Sequence, residues 1–336
     1  MKKIILTTFE LPTEARERLS QVSGATYDVF PSSRLSSKSD YSRVEIILVD
    51  TARANQLDVL KPDSLRRFSN LKLVQSIRAG LDVLDFEKIP ASVVVCGNIR
   101  AYGDQIAEHI FGMMLYFARN LGVSNSALSK GIWEIKPLMF LKGKTILVVG
   151  AGGIGESVGR IASFFGMRTI GINTSGNPVP NFEQIVTLDK LHALLKEADV
   201  VVISMPLTVK TFHLFDKAEF NLMKLNCILV NVSRGHIICE HSLYEHLRSN
   251  PDFKCGLDVW WHYPKPGEKF AQRFPFFELP NFLGTPHDSG MVPETEEIAV
   301  LSAIGNIDKF IRNEPLKGVM NRNDYLGLKE LIARAN

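Results

Sequence analysis

From Thr145 to Gly155 the chain reads Thr-Ile-Leu-Val-Val-Gly-Ala-Gly-Gly-Ile-Gly, a largely apolar and β-branched run that stops at a segment with four glycines. Such a run, Thr145 to Val149, suits a parallel strand covered on both faces. Gly150, Gly152 and Gly155 follow in Gly-x-Gly-x-x-Gly spacing. The first allows a tight turn, the second lets backbone approach a pyrophosphate, and the third lets a helix pack close to the strand. A helix is expected from Glu156 to Gly166 and a second strand from Arg168 to Ile172, the context that a dinucleotide fingerprint requires. That helix would turn its free N–H groups and positive dipole end toward the phosphates.

Strands and helical stretches alternate on both sides of this segment, which argues for α/β architecture with parallel sheets. Strands are expected from Lys3 to Thr8, Val44 to Val49, Leu71 to Ile77, Asp199 to Ser204, Cys227 to Val232 and Lys254 to Trp260. Helices are expected from Thr13 to Gln21, Ala101 to Arg119, Lys217 to Met223 and Leu243 to Arg248. The methionines and aromatics of Ala107-Glu-His-Ile-Phe-Gly-Met-Met-Leu-Tyr-Phe117 read as a packing face. Asn120 to Phe140 looks less regular, an arm able to reach over a second subunit.

With 336 residues, 45% of them hydrophobic, the chain can bury a core large enough for two domains. A net charge of +3, with Arg66-Arg67 as the longest basic run, gives no footprint for nucleic acid. The apolar start Ile4-Ile5-Leu6 stops at Thr7-Thr8 before Glu10, so it reads as a first strand rather than a signal peptide. No apolar segment nears the roughly 18 residues needed to span a bilayer. Cys96, Cys227, Cys239 and Cys255 form no C-x-x-C pair and read as core thiols of a cytoplasmic protein.

Ligands of open α/β sheets bind beyond the carboxyl ends of the strands, so residues there are the candidates for chemistry. Ala79 and Gly80 lie in a turn just after one expected strand. Arg234 closes another, within Asn231-Val-Ser-Arg-Gly235, and its fork of donors would suit a planar carboxylate. His287 lies in Gly284-Thr-Pro-His-Asp-Ser-Gly290, a loop setting in which an imidazole can transfer protons near neutral pH. His236, His241 and His246 recur every five residues, a spacing that shares no helical face, so no metal site is expected.

Taken in order, Gly150-x-Gly-x-x-Gly155, Ser204-Met-Pro-Leu-Thr208, Asn231-Val-Ser-Arg-Gly235, Gly256-Leu-Asp-Val-Trp260 and Thr285-Pro-His287 resemble the D-isomer-specific 2-hydroxyacid dehydrogenase family. Ser76 to Asp82, Ala107-Glu-His109, Gly131-Ile-Trp133 and the tail from Asn306 to Tyr325 are similar to it as well, so the likeness covers nearly the whole chain. It implies two Rossmann-like domains: a discontinuous, flavodoxin-like substrate domain of residues 1–97 plus 289–336, and a nucleotide-binding domain of residues 98–288 inserted between. It also implies a cleft holding substrate and nicotinamide, and a homodimer gripping through the nucleotide domain. No regulatory domain is expected after Asn336, which points to glyoxylate or hydroxypyruvate reductases, or short phosphoglycerate dehydrogenase-like chains, rather than the long phosphoglycerate dehydrogenases.

The same resemblance assigns roles. The carboxylate of a 2-keto acid would meet the N–H groups of Ala79 and Gly80, with Arg78 nearby and Arg234 binding carboxylate and carbonyl oxygen. His287 would donate the proton in reduction and accept it in oxidation, and Asp258 would hold the nicotinamide carboxamide. NAD(P)H would further contact Gly153, Ile154, Asn173, Thr174, Pro206, Thr211, Val232 and Ser233. Substrate side chains would touch Thr51 to Arg53, Arg78 and Trp260-Trp261, where Arg78 and Arg53 could favour a second anionic group. The implied activity is hydride transfer between NAD(P)H and C2 of a small 2-keto or 2-hydroxy acid. Two other readings share the architecture: a nucleotide-sensing binding protein similar to the C-terminal binding proteins, and a formate-dehydrogenase-like hydride abstractor.

The sequence departs from the family's pattern at two places. Tyr263 stands where members usually carry a glutamate before a proline, so it is a possible catalytic residue. A neutral phenol cannot stabilise imidazolium as a carboxylate does. After the expected strand Arg168 to Ile172 comes Asn173-Thr174-Ser175 in place of the acidic residue that binds adenosine ribose hydroxyls and repels a 2′-phosphate. That exchange leans toward tolerance of NADP.

Overall fold

Among the described residues every paired strand runs parallel to its neighbours, in two sheets. The computed structural model describes residues 1–35, 39–52 and 54–335. The chain divides into one unit of Met1–Tyr102 with Val292–Ala333 and another of Gly103–Met291 with Arg334–Asn336. Arg53, named above as a substrate contact, lies outside the described residues.

The first unit holds β1 (Lys3–Thr7), β2 (Tyr27–Pro31), β3 (Val44–Val49), β4 (Leu73–Ser76) and β5 (Val94–Cys96), in the order β2-β1-β3-β4-β5. Every residue of β3 is buried, as a central strand covered on both faces demands. Ala15 and Leu19 of the Thr13–Ser23 helix join Val300, Ala303, Ile304 and Ile307 of the Thr295–Ile311 helix in one apolar cluster on Ile5, Ile46 and Leu48. The charge of Glu45 is tolerated inside β3 because Lys3 and Tyr27 donate hydrogen bonds to it and Lys72 pairs with it.

The second unit holds β6 (Thr145–Val149), β7 (Arg168–Ile172), β8 (Gln184–Val186), β9 (Val200–Ile203), β10 (Ile228–Asn231), β11 (Lys254–Leu257) and β12 (Phe282–Gly284). Their order, β12-β11-β10-β9-β6-β7-β8, puts β6 between β7 and β9. Strand order reverses at β6, so its carboxyl end is the switch point where doubly wound sheets bind nucleotides. The Gly103–Ala118 helix buries Ile106, Ile110, Met113, Met114 and Phe117, and a Cβ at Gly256 would lie 2.8 Å from Met113 Sδ. The methionines are packing, as expected.

Several expected boundaries shift. The helix after the glycine turn spans Gly153–Phe164 rather than beginning at Glu156, because Glu156 N–H already bonds the Gly152 carbonyl. The helix expected from Leu243 spans Glu240–Ser249. The strand expected to reach Trp260 ends at Leu257. The arm from Asn120 to Phe140 is more ordered than expected, since it opens with a helix over Leu121–Ser129. Edge strands β2, β5, β8 and β12 have no clear sequence signal: they are short, and β2 carries Asp28 and Pro31.

Candidate active site

The loops that follow β6, β9, β10, β11 and β12 emerge on one edge of the second sheet, because all these strands are parallel. At the first of them the glycines act as their spacing suggests. Gly150 has φ +111°, and a Cβ there would come within 2.5 Å of Met205 N on the neighbouring loop. A Cβ on Gly155 would come within 2.4 Å of the Gly150 carbonyl oxygen. Around Gly152, by contrast, a Cβ would meet nothing within 4 Å. This residue is exposed and caps the Gly153–Phe164 helix, so the absent side chain leaves room in front of a helix N-terminus. A pyrophosphate fits that cradle. Ile154 lies in the first turn, half-buried.

Beyond β7, Asn173 uses its own side chain to shape its loop: Oδ1 accepts from the N–H groups of Ser175 (3.1 Å) and Gly176 (2.6 Å), while Nδ2 donates to the Asn177 carbonyl (3.0 Å). Thr174 and Ser175 are exposed beside it. Beyond β9, Pro206 is exposed, whereas the buried Thr211 donates its hydroxyl hydrogen to the Pro206 carbonyl (2.7 Å) and holds that loop in shape. Val232 and Ser233 are buried beyond β10, with Ser233 Oγ donating to the Ile203 carbonyl of β9 (3.2 Å).

Arg234, Asp258, Tyr263 and His287 follow the adjacent strands β10, β11 and β12. Arg234 is half-buried and extended, and its Nη1 donates to the Ser233 carbonyl at 2.7 Å. Next to it, a Cβ on Gly235 would lie 2.4 Å from the Trp260 carbonyl carbon, so only glycine lets the two loops meet. Trp260 N–H donates to the Tyr263 hydroxyl (3.2 Å), and the Tyr263 ring lies 5.5 Å, centroid to centroid, from the His287 imidazole. His287 is exposed and has φ +61°, a left-handed backbone that a non-glycine residue adopts only when its surroundings enforce it.

The enforcing group is Asp258, which has no exposed surface. Its Oδ1 accepts from the Thr285 hydroxyl (2.6 Å) and from Asp288 N–H (3.1 Å), and its Oδ2 accepts from Ser289 N–H (3.1 Å). His109 Nε2 lies 3.1 Å from Thr285 Oγ1 and 4.0 Å from Asp258 Oδ1. Ligand atoms of His109, Asp258 and Asp288 lie within 4.8 Å of one another, although hydrogen bonds already engage both oxygens of Asp258. Thr285 and His109 stand inside quoted motifs, yet the sequence offered no role for either.

In the first unit, Ala79 and Gly80 follow β4. Neither N–H is hydrogen-bonded among the described residues. Thr51 Oγ1 donates to the Gly80 carbonyl and Arg78 N–H donates to Ser76 Oγ, which together fix the turn. Arg78 itself is neither a solvated surface charge nor an unengaged cation: Nε and Nη2 donate to the two oxygens of the buried Asp50 at 2.9 and 3.1 Å. Burial would lower its pKa, but the paired carboxylate outweighs that effect and raises it, so the guanidinium stays charged. Asp50 escaped the sequence reading, and Thr51, expected near the substrate, had no part in shaping this turn there. The only signal was a polar pair closing an apolar strand.

Among the described residues no helix is long and apolar enough to cross a membrane. Residues 111–289, more than half the chain, match the family model described as D-isomer specific 2-hydroxyacid dehydrogenase, NAD binding domain. The chain is 32% identical to a D-3-phosphoglycerate dehydrogenase from Methanocaldococcus jannaschii over 77% of this chain, spanning 49% of that relative's length. It is 30% identical to a hydroxypyruvate reductase from Thermotoga maritima over 79% of this chain and 84% of that one. Among solved structures, a D-isomer specific 2-hydroxyacid dehydrogenase family protein from Aeromonas salmonicida is 27% identical with a TM-score of 0.74, the match covering 96% of this chain and 100% of that one. A pyrophosphate cradle at the switch point of a seven-stranded sheet is therefore matched by sequence over the same residues, and the chain belongs to the D-isomer specific 2-hydroxyacid dehydrogenase family, as one of its NAD(P)-dependent oxidoreductases.

Proposed function

We propose that the protein reduces a small 2-keto acid of the glyoxylate or hydroxypyruvate class to the D-2-hydroxy acid. The single observation that carries this reading is the placement of Arg234 after β10 and His287 after β12, parallel strands on either side of β11, with Gly235, Trp260 and Tyr263 linking the two loops. Bound NAD(P)H supplies the hydride. Arg234 binds the substrate carboxylate and polarises its carbonyl, favouring charge that develops on oxygen. His287 gives that oxygen a proton from its imidazolium. The N–H groups of Ala79 and Gly80, unbonded among the described residues, mark an anion site of the substrate domain, residues 1–97 plus 289–336, and residues 98–288 are the part that holds the nucleotide. Asp258 keeps a lone pair on Oδ2 for the nicotinamide carboxamide.

Tolerance of NADP is supported by Asn173-Thr174-Ser175, where no carboxylate would repel a 2′-phosphate. A homodimer is supported by the arm after the Gly103–Ala118 helix, where Trp133 is 82% and Ile135 87% exposed beside Leu128, Ile132 and Phe140. A cytoplasmic location is supported by four cysteines that are all free thiols.

The test follows reduced-nicotinamide absorbance with glyoxylate, hydroxypyruvate, pyruvate and formate, using NADH and NADPH in turn. Turnover of a 2-keto acid is expected. Tight cofactor binding without turnover would instead indicate a nucleotide-sensing protein, and oxidation of formate a hydride abstractor.

A further inference from the structure

His287 is exposed, left-handed at its backbone and part of a loop rich in proline and glycine. A loop of this kind would ordinarily be mobile, yet proton transfer needs an imidazole held to a fraction of an ångström. What holds it is one residue upstream of the proline. Thr285 is fixed at every polar atom it has. Its N–H bonds the Leu257 carbonyl (2.9 Å), its carbonyl accepts from Trp260 Nε1 (2.9 Å), and its hydroxyl lies between Asp258 (2.6 Å) and His109 (3.1 Å).

The direction of these bonds follows from counting hydrogens. Asp258 Oδ1 also accepts Asp288 N–H, so it is an acceptor here, and the hydrogen in the 2.6 Å contact is the threonine's own. Having given its only hydrogen away, Thr285 Oγ1 must accept from His109, which therefore carries a hydrogen on Nε2. The chain of donation runs from His109 on the Gly103–Ala118 helix, through Thr285, to Asp258, whose two oxygens grip the N–H groups on the far side of His287. The buried carboxylate thus ties the residue two before His287 to the two residues after it.

We propose that His109 and Thr285 are positioning residues for His287: they hold Asp258 in the one orientation that clamps both flanks of the 285–289 loop. The role rests on the reading of His287 as the proton donor. It differs from a contact with the nicotinamide, because neither Thr285 nor His109 needs to touch substrate or cofactor to exert it.

Three quantities test the clamp in the full chain: kcat with a 2-keto acid, the Kd of NADPH by fluorescence, and amide exchange at Asp288 and Ser289. Thr285→Val keeps the shape but removes both hydroxyl bonds. It is expected to lower kcat by about 10- to 100-fold, the range set by sub-ångström misplacement of a reacting group, with NADPH affinity falling by a smaller factor through Asp258 and exchange at both amides faster. Thr285→Ser keeps the hydroxyl and should restore all three readings. His109→Leu should reproduce the valine variant in milder form, and His109→Gln, which can still donate, should rescue it. These two serve if Thr285→Val fails to fold. Undiminished kcat with undisturbed exchange in Thr285→Val and His109→Leu overturns the proposal, as does a loss that appears only in NADPH affinity. A wild type that turns over no 2-keto acid overturns the function proposed above instead, and amide exchange in the variants still decides on the clamp.

Discussion

Two turns, each following a buried parallel strand, solve the same problem with different materials. After β6, the Gly150–Gly155 turn opens the helix N-terminus at Gly153 by removing side chains: Gly150 and Gly155 sit where a Cβ would strike backbone, and Gly152 faces open space. After β4, Ser76 to Gly80 present N–H groups by adding side chains. Ser76 and Thr51 tie the turn from inside, and the Arg78–Asp50 pair brackets it. A turn built by deletion leaves a pattern in one short stretch of sequence. A turn built by addition draws on residues 25 to 29 positions apart and leaves none.

If that contrast is right, the turns should fail differently. The largest effect is expected from Gly150→Val, which combines φ +111° with a contact of 2.5 Å to backbone. Destabilisation above about 4 kcal/mol should appear as loss of folded protein in chemical denaturation, because nothing nearby is a flexible chain end that could yield. Arg78→Met comes next. It takes the paired cation from the buried carboxylate of Asp50, 1% exposed, and should lower unfolding free energy by about 3 kcal/mol. Arg78→Met with Asp50→Leu should recover much of that loss. Equal stabilities for the single and double variants would mean that the pair does not brace the turn.

Gly152→Ala sharpens the comparison from the other side. Its Cβ meets no protein atom, so denaturation should be nearly unchanged while the Kd for NAD(P)H rises by about 10-fold, the loss of close backbone approach to pyrophosphate. A fall in stability with normal cofactor affinity would make this glycine structural. The smallest effect concerns Tyr263, whose ring lies against His287 without offering a charge. On the role proposed for His287, reduction draws its proton from an imidazolium and so fades beyond a point on the alkaline side. A carboxylate in place of the phenol raises that point. Tyr263→Glu should therefore move the alkaline limb of kcat/KM upward by about one pH unit, and an unmoved limb would show that the ring contact, not charge, sets this histidine.

What is local and periodic was legible in the chain before any fold was known. The apolar run of β6, the glycine spacing after it and the apolar face of the Gly103–Ala118 helix each follow from constraints acting within a few residues. Arg234 could be chosen because it closes an expected apolar strand, and His287 because it stands in a loop rich in proline and glycine. What surrounds them depends on how distant segments pack together. Short edge strands such as β5, β8 and β12, three residues each, form because a neighbouring strand offers its ladder. Arg78, legible as a candidate for a second anionic group, proved to be paired with Asp50 28 positions earlier. Asp258, legible as a cofactor contact, proved to be buried and bonded to a loop about 30 positions later, with His109 reaching it through Thr285 across 176 positions. A hydrogen bond needs two groups at one place in space, and over such separations that place is set by the packing of helices and sheet.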